Sequence, residues 1–335
     1  MKPRQAWPEV AITGRTVEEI GEYLEDFTYT DPATGESDAI NITLANADMA
    51  WSAGWMPKKG DRMDAVIRTL SWDKAGAETA FPCGTFCCDD LGFSFWDPLT
   101  ASIGAVSVPE KQDFRAAKRS KTWEDVTVDE IAAQIAASYG LEVAYDADPI
   151  RVASKEQNMQ EDSAFLSSLC GDYGLYIKVY SGRIIIYDAT RYEARASVAS
   201  IGLRDVLDGD YNSSIQGTYT GATIRYTNGS ESQDEYEYSI GGGNRILYIN
   251  EKVDSLEDAR IKARAKLAEE NRKAETMKLT LANATAFLRA SCCIDFSGGG
   301  GMDGKYFIDK ATHKLDASGG YTVALDLHKV QQAIG

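Results

Sequence analysis

Two copies of one unit decide how this sequence is read. The first is Ile131-Ala132-Ala133-Gln134-Ile135-Ala136-Ala137-Ser138, closed by Tyr139-Gly140-Leu141 and followed by Glu142-Val143-Ala144-Tyr145-Asp146. The second is Phe165-Leu166-Ser167-Ser168-Leu169-Cys170-Gly171-Asp172, closed by Tyr173-Gly174-Leu175 and followed by Tyr176-Ile177-Lys178-Val179-Tyr180. Ile131 and Ile135, like Phe165 and Leu169, are spaced to share one face of a helix. Gly140 and Gly174 stand where a left-handed helix cap is wanted, since glycine has no Cβ to clash there. Thr127 or Asp129 can cap the first helix, and Glu161 or Asp162 the second. The run Arg183-Ile184-Ile185-Ile186-Tyr187 follows a Ser181-Gly182 turn, so it predicts a hairpin with residues 176–180. These residues predict a compact α/β module of roughly 70 residues. Nothing in the pattern is chemical; two amphipathic helices packed on strands account for it.

Working outward, the chain has 335 residues and 44% apolar content, enough for two or three domains with sizeable cores. No apolar run approaches the roughly 20 residues needed to cross a bilayer. The N-terminal Met1-Lys2-Pro3-Arg4-Gln5-Ala6-Trp7-Pro8 lacks the apolar core of a secretory signal, which implies a soluble, cytoplasmically made product. The net charge of −16 argues against stable nucleic-acid binding, which needs cations to neutralise phosphates, and against anionic lipid and direct membrane insertion. An acidic conduit that nucleic acid passes without sticking remains compatible. Cys83, Cys87, Cys88, Cys170, Cys292 and Cys293 show no metal-ligand spacing and read as small buried apolar residues.

Before the module, residues 9–108 read as short strands. Ile40, Ile42 and Leu44 alternate with Asn41 and Thr43, the period of a half-buried strand, and a glycine-containing loop joins this run to the one before it. Residues 63–69, 82–89 and 93–95 continue the pattern, which suggests a small barrel or sandwich. The basic run with Lys111, Arg115, Lys118, Arg119 and Lys121 reads as a solvated connection, or as a contact with an acidic neighbour. After the module, residues 200–206 and 219–226 read as strands and residues 229–244 as an exposed loop. The clearest helix spans 255–273: Ser255 and Asp258 resemble a capping box, and Ala259, Ala263, Leu267 and Asn271 share one side. Strands follow at 278–281, 291–296, 305–310 and 321–327. The fold class is therefore mainly β with an α/β insert (α+β).

No catalytic constellation emerges. The only histidines, His313 and His328, lie in strand-like flanks and read as surface or structural residues. Gly299-Gly300-Gly301-Met302-Asp303-Gly304-Lys305 nearly matches a phosphate loop, but Tyr306 replaces the Ser or Thr and a strand follows where the helix belongs. The acidic pairs Asp89-Asp90 and Glu161-Asp162 carry no information alone. Trp51, Trp55, Trp72 and Trp96 could form a sugar-binding platform, although tryptophans in β domains more often fill cores. No cofactor or metal is expected.

Several segments together resemble a known family. In the N-terminal part they are Phe27-Thr28-Tyr29-Thr30-Asp31, Ile40-Asn41-Ile42-Thr43-Leu44, Trp51, Trp55, Lys59-Gly60-Asp61 and Gly84-Thr85-Phe86-Cys87-Cys88-Asp89. In the centre they are Gln157, Asp162-Ser163-Ala164-Phe165-Leu166, Tyr173-Gly174-Leu175 and Gly182-Arg183-Ile184-Ile185-Ile186-Tyr187. Near the C-terminus they are Gly304-Lys305-Tyr306-Phe307-Ile308, His313 and Gly319-Gly320-Tyr321. The chain resembles the phage late-control D proteins, baseplate hub proteins of contractile tails that are similar to the N-terminal hub region of VgrG spikes. The resemblance implies two similar tube-type β-barrel domains, at 1–112 and 191–335, around the α/β module at 113–190. It implies a non-enzymatic structural protein forming a homotrimeric ring, which adapts a sixfold tail tube to a threefold central spike. The implied partners are further copies of the chain, tail tube proteins and a separate spike protein, with tape-measure and baseplate wedge proteins besides. The implied location is a virion or headless tail-like particle, assembled in the bacterial cytoplasm. An acidic lumen in such a tube would repel phosphates. The alternative is a tail protein that binds or hydrolyses cell-wall polysaccharide.

Overall fold

The computed structural model describes residues 4–72, 74–107, 114, 117–215, 218–227, 235–253, 255–282, 288–318 and 320–331. The N-terminal part supplies β1 (Gln5–Ile12), α1 (Val17–Gly21), β2 (Leu24–Pro32), β3 (Ala39–Ala45), β4 (Arg62–Leu70), β5 (Glu78–Phe93) and β6 (Thr100–Val106). The middle supplies β7 (Lys118–Thr127), α2 (Val128–Tyr139), β8 (Glu142–Asp146), β9 (Arg151–Glu161), α3 (Asp162–Asp172), β10 (Leu175–Tyr180), β11 (Arg183–Asp188) and α4 (Ala189–Glu193). The remainder begins with β12 (Ala199–Gly202), β13 (Val206–Ser213), β14 (Gly221–Thr227), β15 (Glu235–Gly241) and β16 (Ile246–Val253). It continues with α5 (Leu256–Arg272), β17 (Glu275–Leu281), β18 (Cys293–Ser297), β19 (Gly304–Asp316) and β20 (Tyr321–Lys329).

The fold is mainly β with small helical parts. Its main feature is one 12-stranded sheet in the order β1-β4-β5-β6-β3-β2-β19-β20-β17-β13, with β18 also paired to β19 and β12 paired to β18. Among the described residues neither outer part closes into a barrel of its own; β2 pairs antiparallel with β19 and joins the two. In that seam Phe27 faces Leu315 and Tyr29 faces His313. The period of two puts Phe27, Tyr29, Ile40, Ile42, Met63, Ile67, Phe81 and Phe86 into the same buried cluster as Phe307, Leu315, Val323 and Leu325. Each such side chain contributes about 1.5–3 kcal/mol on burial.

The module has its own three-stranded sheet, β10-β11-β8, with β8 parallel to β11. Its core contains Val128, Ile131, Ile135, Phe165, Leu166, Leu169, Ile184 and Ile186. Glu130 Oε2 accepts from the Thr127 backbone N–H at 2.9 Å at the head of α2, and Gly140 ends that helix in the left-handed region. Gly174 has φ of +70°, and a Cβ there would stand 3.1 Å from the Ala265 Cβ of α5. Glycine is required twice over, by backbone conformation and by the approach of a second helix. Gly174→Ala should therefore cost about 1–2 kcal/mol from the backbone alone, measurable as a lower denaturation midpoint. An unchanged midpoint would contradict it.

Two sequence expectations need correction. Lys118, Arg119 and Lys121 are not in a linker; they lie on β7, which pairs along its length with β9. Their side chains are exposed, so the strand shows no alternation at that end, and Lys111 and Arg115 lie outside the described residues. Within 229–244, residues 235–241 form β15, whose Tyr238 and Ile240 lie opposite Ile224 and Ala222 of β14. Residues 229–234 lie outside the described residues. By contrast, α5 begins after Ser255, whose hydroxyl accepts from Asp258 N at 3.1 Å, and buries Ala259, Ala263, Leu267 and Asn271. With β14, β15 and β16 it encloses a third, smaller core.

Candidate assembly surface

The side of the main sheet turned away from the core is polar, with small residues and a few lysines and aspartates. One row across β5, β6, β3, β2, β19 and β20 reads Asp90, Gly104, Asn41, Thr28, Lys314 and Thr322. A second reads Ala39, Thr30, Thr312, Ala324, Thr280 and Asp208, running from β3 to β13. A third, Lys310, Asp326, Lys278 and Asp210, alternates in sign, with Lys278 Nζ 3.6 Å from Asp326. Tight spacing holds the residues small: a Cβ on Gly104 would lie 3.1 Å from Asn41 Oδ1, and one on Gly92 only 2.4 Å from Ser102 Oγ. This face therefore offers a polar, solvent-accessible surface over both halves of the chain. Its charges are mixed, so the acidity of the whole chain is not concentrated on it. The sheet order ends at β1 on one side and β13 on the other. Strands at sheet ends carry backbone groups that a neighbouring chain can pair with.

The module is fixed to this sheet by a buried ion cluster. Lys178 on β10 reaches Asp31 at the end of β2 and Asp38 before β3, with 2.9 Å to Asp38 Oδ1. Its side chain is only 10% exposed, and the two carboxylates 3% and 0%. Tyr29 Oη donates to Asp38 Oδ2 at 2.7 Å, and the Ala290 backbone N–H donates to Asp31 Oδ2 at 3.0 Å. Burial and the neighbouring Asp31 push the Asp38 carboxyl above the usual range, against the pull of Lys178 and Tyr29. Around the cluster, Thr34 Oγ1 bonds both backbone groups of Ile177, and Tyr187 Oη donates to Ala33 O at 2.9 Å. No residue of this clamp was legible as a site in the sequence. Asp31 and Lys178 fall within strands, and a buried ion pair leaves no periodic trace.

Solved structures supply the comparison. The 43 kDa tail protein of prophage MuSo2 from Shewanella oneidensis matches with a TM-score of 0.71 at 16% identity, over 98% of both chains. The tail protein from Neisseria meningitidis MC58 matches with a TM-score of 0.71 at 13% identity, again over 98% of both. The c3393 protein of E. coli is a type VI secretion component with structural similarity to the T4 bacteriophage tail proteins gp27 and gp5. It matches with a TM-score of 0.61 at 11% identity, over 97% of this chain and 78% of its own. The chain has a phage tail-protein fold. No family model and no curated protein sequence matches it.

Within this tail-protein fold, the residues singled out by the sequence are dispersed. Both histidines are buried rather than on the surface. His313 Nε2 lies 2.9 Å from Leu288 O and Nδ1 2.7 Å from Tyr321 Oη, so the ring donates to the carbonyl and accepts from the phenol. Burial pushes its pKa down to about 4, which keeps it neutral inside an aromatic stack with Tyr29 and Phe81. The glycine-rich segment forms a 3-10 turn, Gly300–Met302, and then opens β19, so its amides do not head a helix. Cys83, Cys88, Cys170 and Cys293 are buried, and burial pushes the Cys170 thiol up to about 12. Trp51 is fully buried and packs edge-on to Tyr23 and Trp55, while Trp72 packs against Tyr321. Only Trp96, on the β5–β6 connection, is 84% exposed. Gln157 and Asp162 of the resembling motif prove structural: Asp162 accepts from Gln157 Nε2 at 2.7 Å and from Tyr139 Oη at 2.6 Å, joining β9, α3 and α2. Among the described residues, no group of three or more His, Cys, Asp or Glu is placed to hold a metal ion, and no helix is long and apolar enough to cross a membrane.

Proposed function

We propose that this chain is a structural, non-enzymatic baseplate hub protein of a contractile phage tail or tail-like injection particle. Three copies form a ring that adapts a sixfold tail tube to a threefold central spike, and tube and spike proteins bind its two ends. The observation that carries the reading is the single sheet shared by both halves of the chain, with β1 and β13 at its ends. Pairing β13 of one copy with β1 of the next is a head-to-tail contact, which closes into a ring when the rotation permits. The two outer segments, 1–112 and 191–335, each contribute about half of that wall, so three chains present six such units. The small polar rows of the sheet then line the passage, where hydrated threonines and alternating charges give cargo nothing to adhere to. Likeness to tail proteins and to a type VI secretion component agrees with this reading. A carbohydrate platform has little support, because Trp51, Trp55 and Trp72 are engaged in packing.

Light scattering on the protein alone, and mixed with its tube and spike proteins, is the test. We expect a trimer mass or trimerisation on adding the spike, and no release of fragments from peptidoglycan. A monomer that binds neither partner would overturn the reading.

A further inference from the structure

Four charged side chains converge where three parts of the chain meet. Glu193 ends α4, Arg272 ends α5, Asp309 lies at a register shift in β19, and His328 lies on β20. His328 is 3% exposed. Its Nδ1 stands 2.8 and 2.9 Å from the two Asp309 carboxylate oxygens, and its Nε2 3.2 Å from Glu193 Oε1. Arg272 Nε donates to the same Glu193 oxygen, with its guanidinium 5.3 Å from the centre of the Tyr176 ring on β10.

A neutral imidazole carries one N–H, yet carboxylates flank this ring on both sides. Both contacts exist together only when both nitrogens are protonated. With that proton two cations face two anions; without it a buried lone pair faces a carboxylate and the cluster keeps an uncompensated negative charge. We propose that the Glu193–Arg272–Asp309–His328 cluster is a protonation-dependent junction that holds α4 and α5 against the main sheet. Discharge opens it at Asp309, because Glu193 keeps Arg272 and the Asp309 side chain, 37% exposed, can turn to water.

Among the described residues, the charged or titratable groups facing His328 and Arg272 are Glu193 from α4, Asp309 from β19 and Tyr176 from β10. Burial pushes the Tyr176 phenol up to about 12, so it stays neutral. Burial lowers the His328 pKa, but the hydrogen bonds to Asp309 and Glu193 outweigh it and the value lies above 6.5. Since the folded value is raised, the stabilisation is fully present below the unfolded pKa and is lost as pH rises through the folded one. The junction therefore loosens towards alkaline pH. This inference does not depend on the hub reading.

With only two histidines, 15N-histidine labelling gives two sets of ring signals that can be titrated separately. We expect one ring to remain neutral far below pH 6.5, as His313 requires, and the other to stay charged above it. In a uniformly 15N-labelled sample the backbone amides of Glu193 and Arg272 should shift with the second midpoint, and Asp309→Asn should lower that midpoint without moving the His313 signal. If both rings titrate at or below 6.5, or if the two amides stay still through the His328 transition, the junction is not protonation-dependent. Should Asp309→Asn fail to fold, the titration of the unmodified protein decides by itself.

Discussion

Replacing Lys178 with alanine should lower the unfolding free energy by about 3–5 kcal/mol, the range for removing one partner of a buried ion pair. The loss is large because Asp31 and Asp38 are buried and, among the described residues, each then keeps a single neutral donor, Ala290 N–H and Tyr29 Oη respectively. If charge rather than packing is the cause, two further results follow. Lys178→Met, which keeps the stem, should lose nearly as much, and adding Asp31→Asn and Asp38→Asn should restore a substantial part of it. The deficit should also shrink in acid. The folded pKa of Asp38 is already raised, so its contribution is present below the unfolded value and lost as pH rises through the folded one. Removing Lys178, which lowers that pKa, extends the loss to higher pH. Urea midpoints at pH 5 and pH 8 measure this, and an equal deficit at both would assign the effect to packing.

Phe165→Ala should cost about 3–5 kcal/mol, the range for truncating a buried aromatic. The ring is 1% exposed and stacked on Trp123 with centroids 6.2 Å apart, between the two helices and the strands of the module. Its removal leaves a void that Leu166 and Leu169 cannot fill, because they already pack in the same core. Thermal unfolding followed by tryptophan fluorescence would report both the loss and the changed surroundings of Trp123. An unchanged melting temperature would remove Phe165 from the core.

The local elements were readable because their signals lie within one or two turns of chain. Ile131 with Ile135, Gly140 in its left-handed conformation, and Ser255 ahead of α5 are each set by neighbours a few residues away. The strand β7 escaped because residues 118–122 are all exposed and show no alternation, and because its partner β9 lies beyond an intervening helix and strand. The strand β15 escaped because glutamates alternating with tyrosines resemble a polar loop until β14 is beside them. His313 and His328 looked alike in sequence, in similar strands and with no marked neighbours. One proves to be a neutral ring in an aromatic stack, the other a ring clasped by two carboxylates.

Alternation of apolar and polar residues along each strand, and the spacing of apolar residues along each helix, determined by themselves that this protein is mainly β with an α/β insert. Those periods follow from the geometry of a single chain, whatever it packs against. Only the tertiary structure decided that residues from opposite ends, Tyr29 and His313, meet in one sheet that joins the two outer parts. It alone decided that Lys178 and two aspartates clamp the module, and that four charges gather around His328. Strand partners and buried charges are chosen by which distant segments can satisfy each other's hydrogen bonds away from water, and no local period encodes that choice.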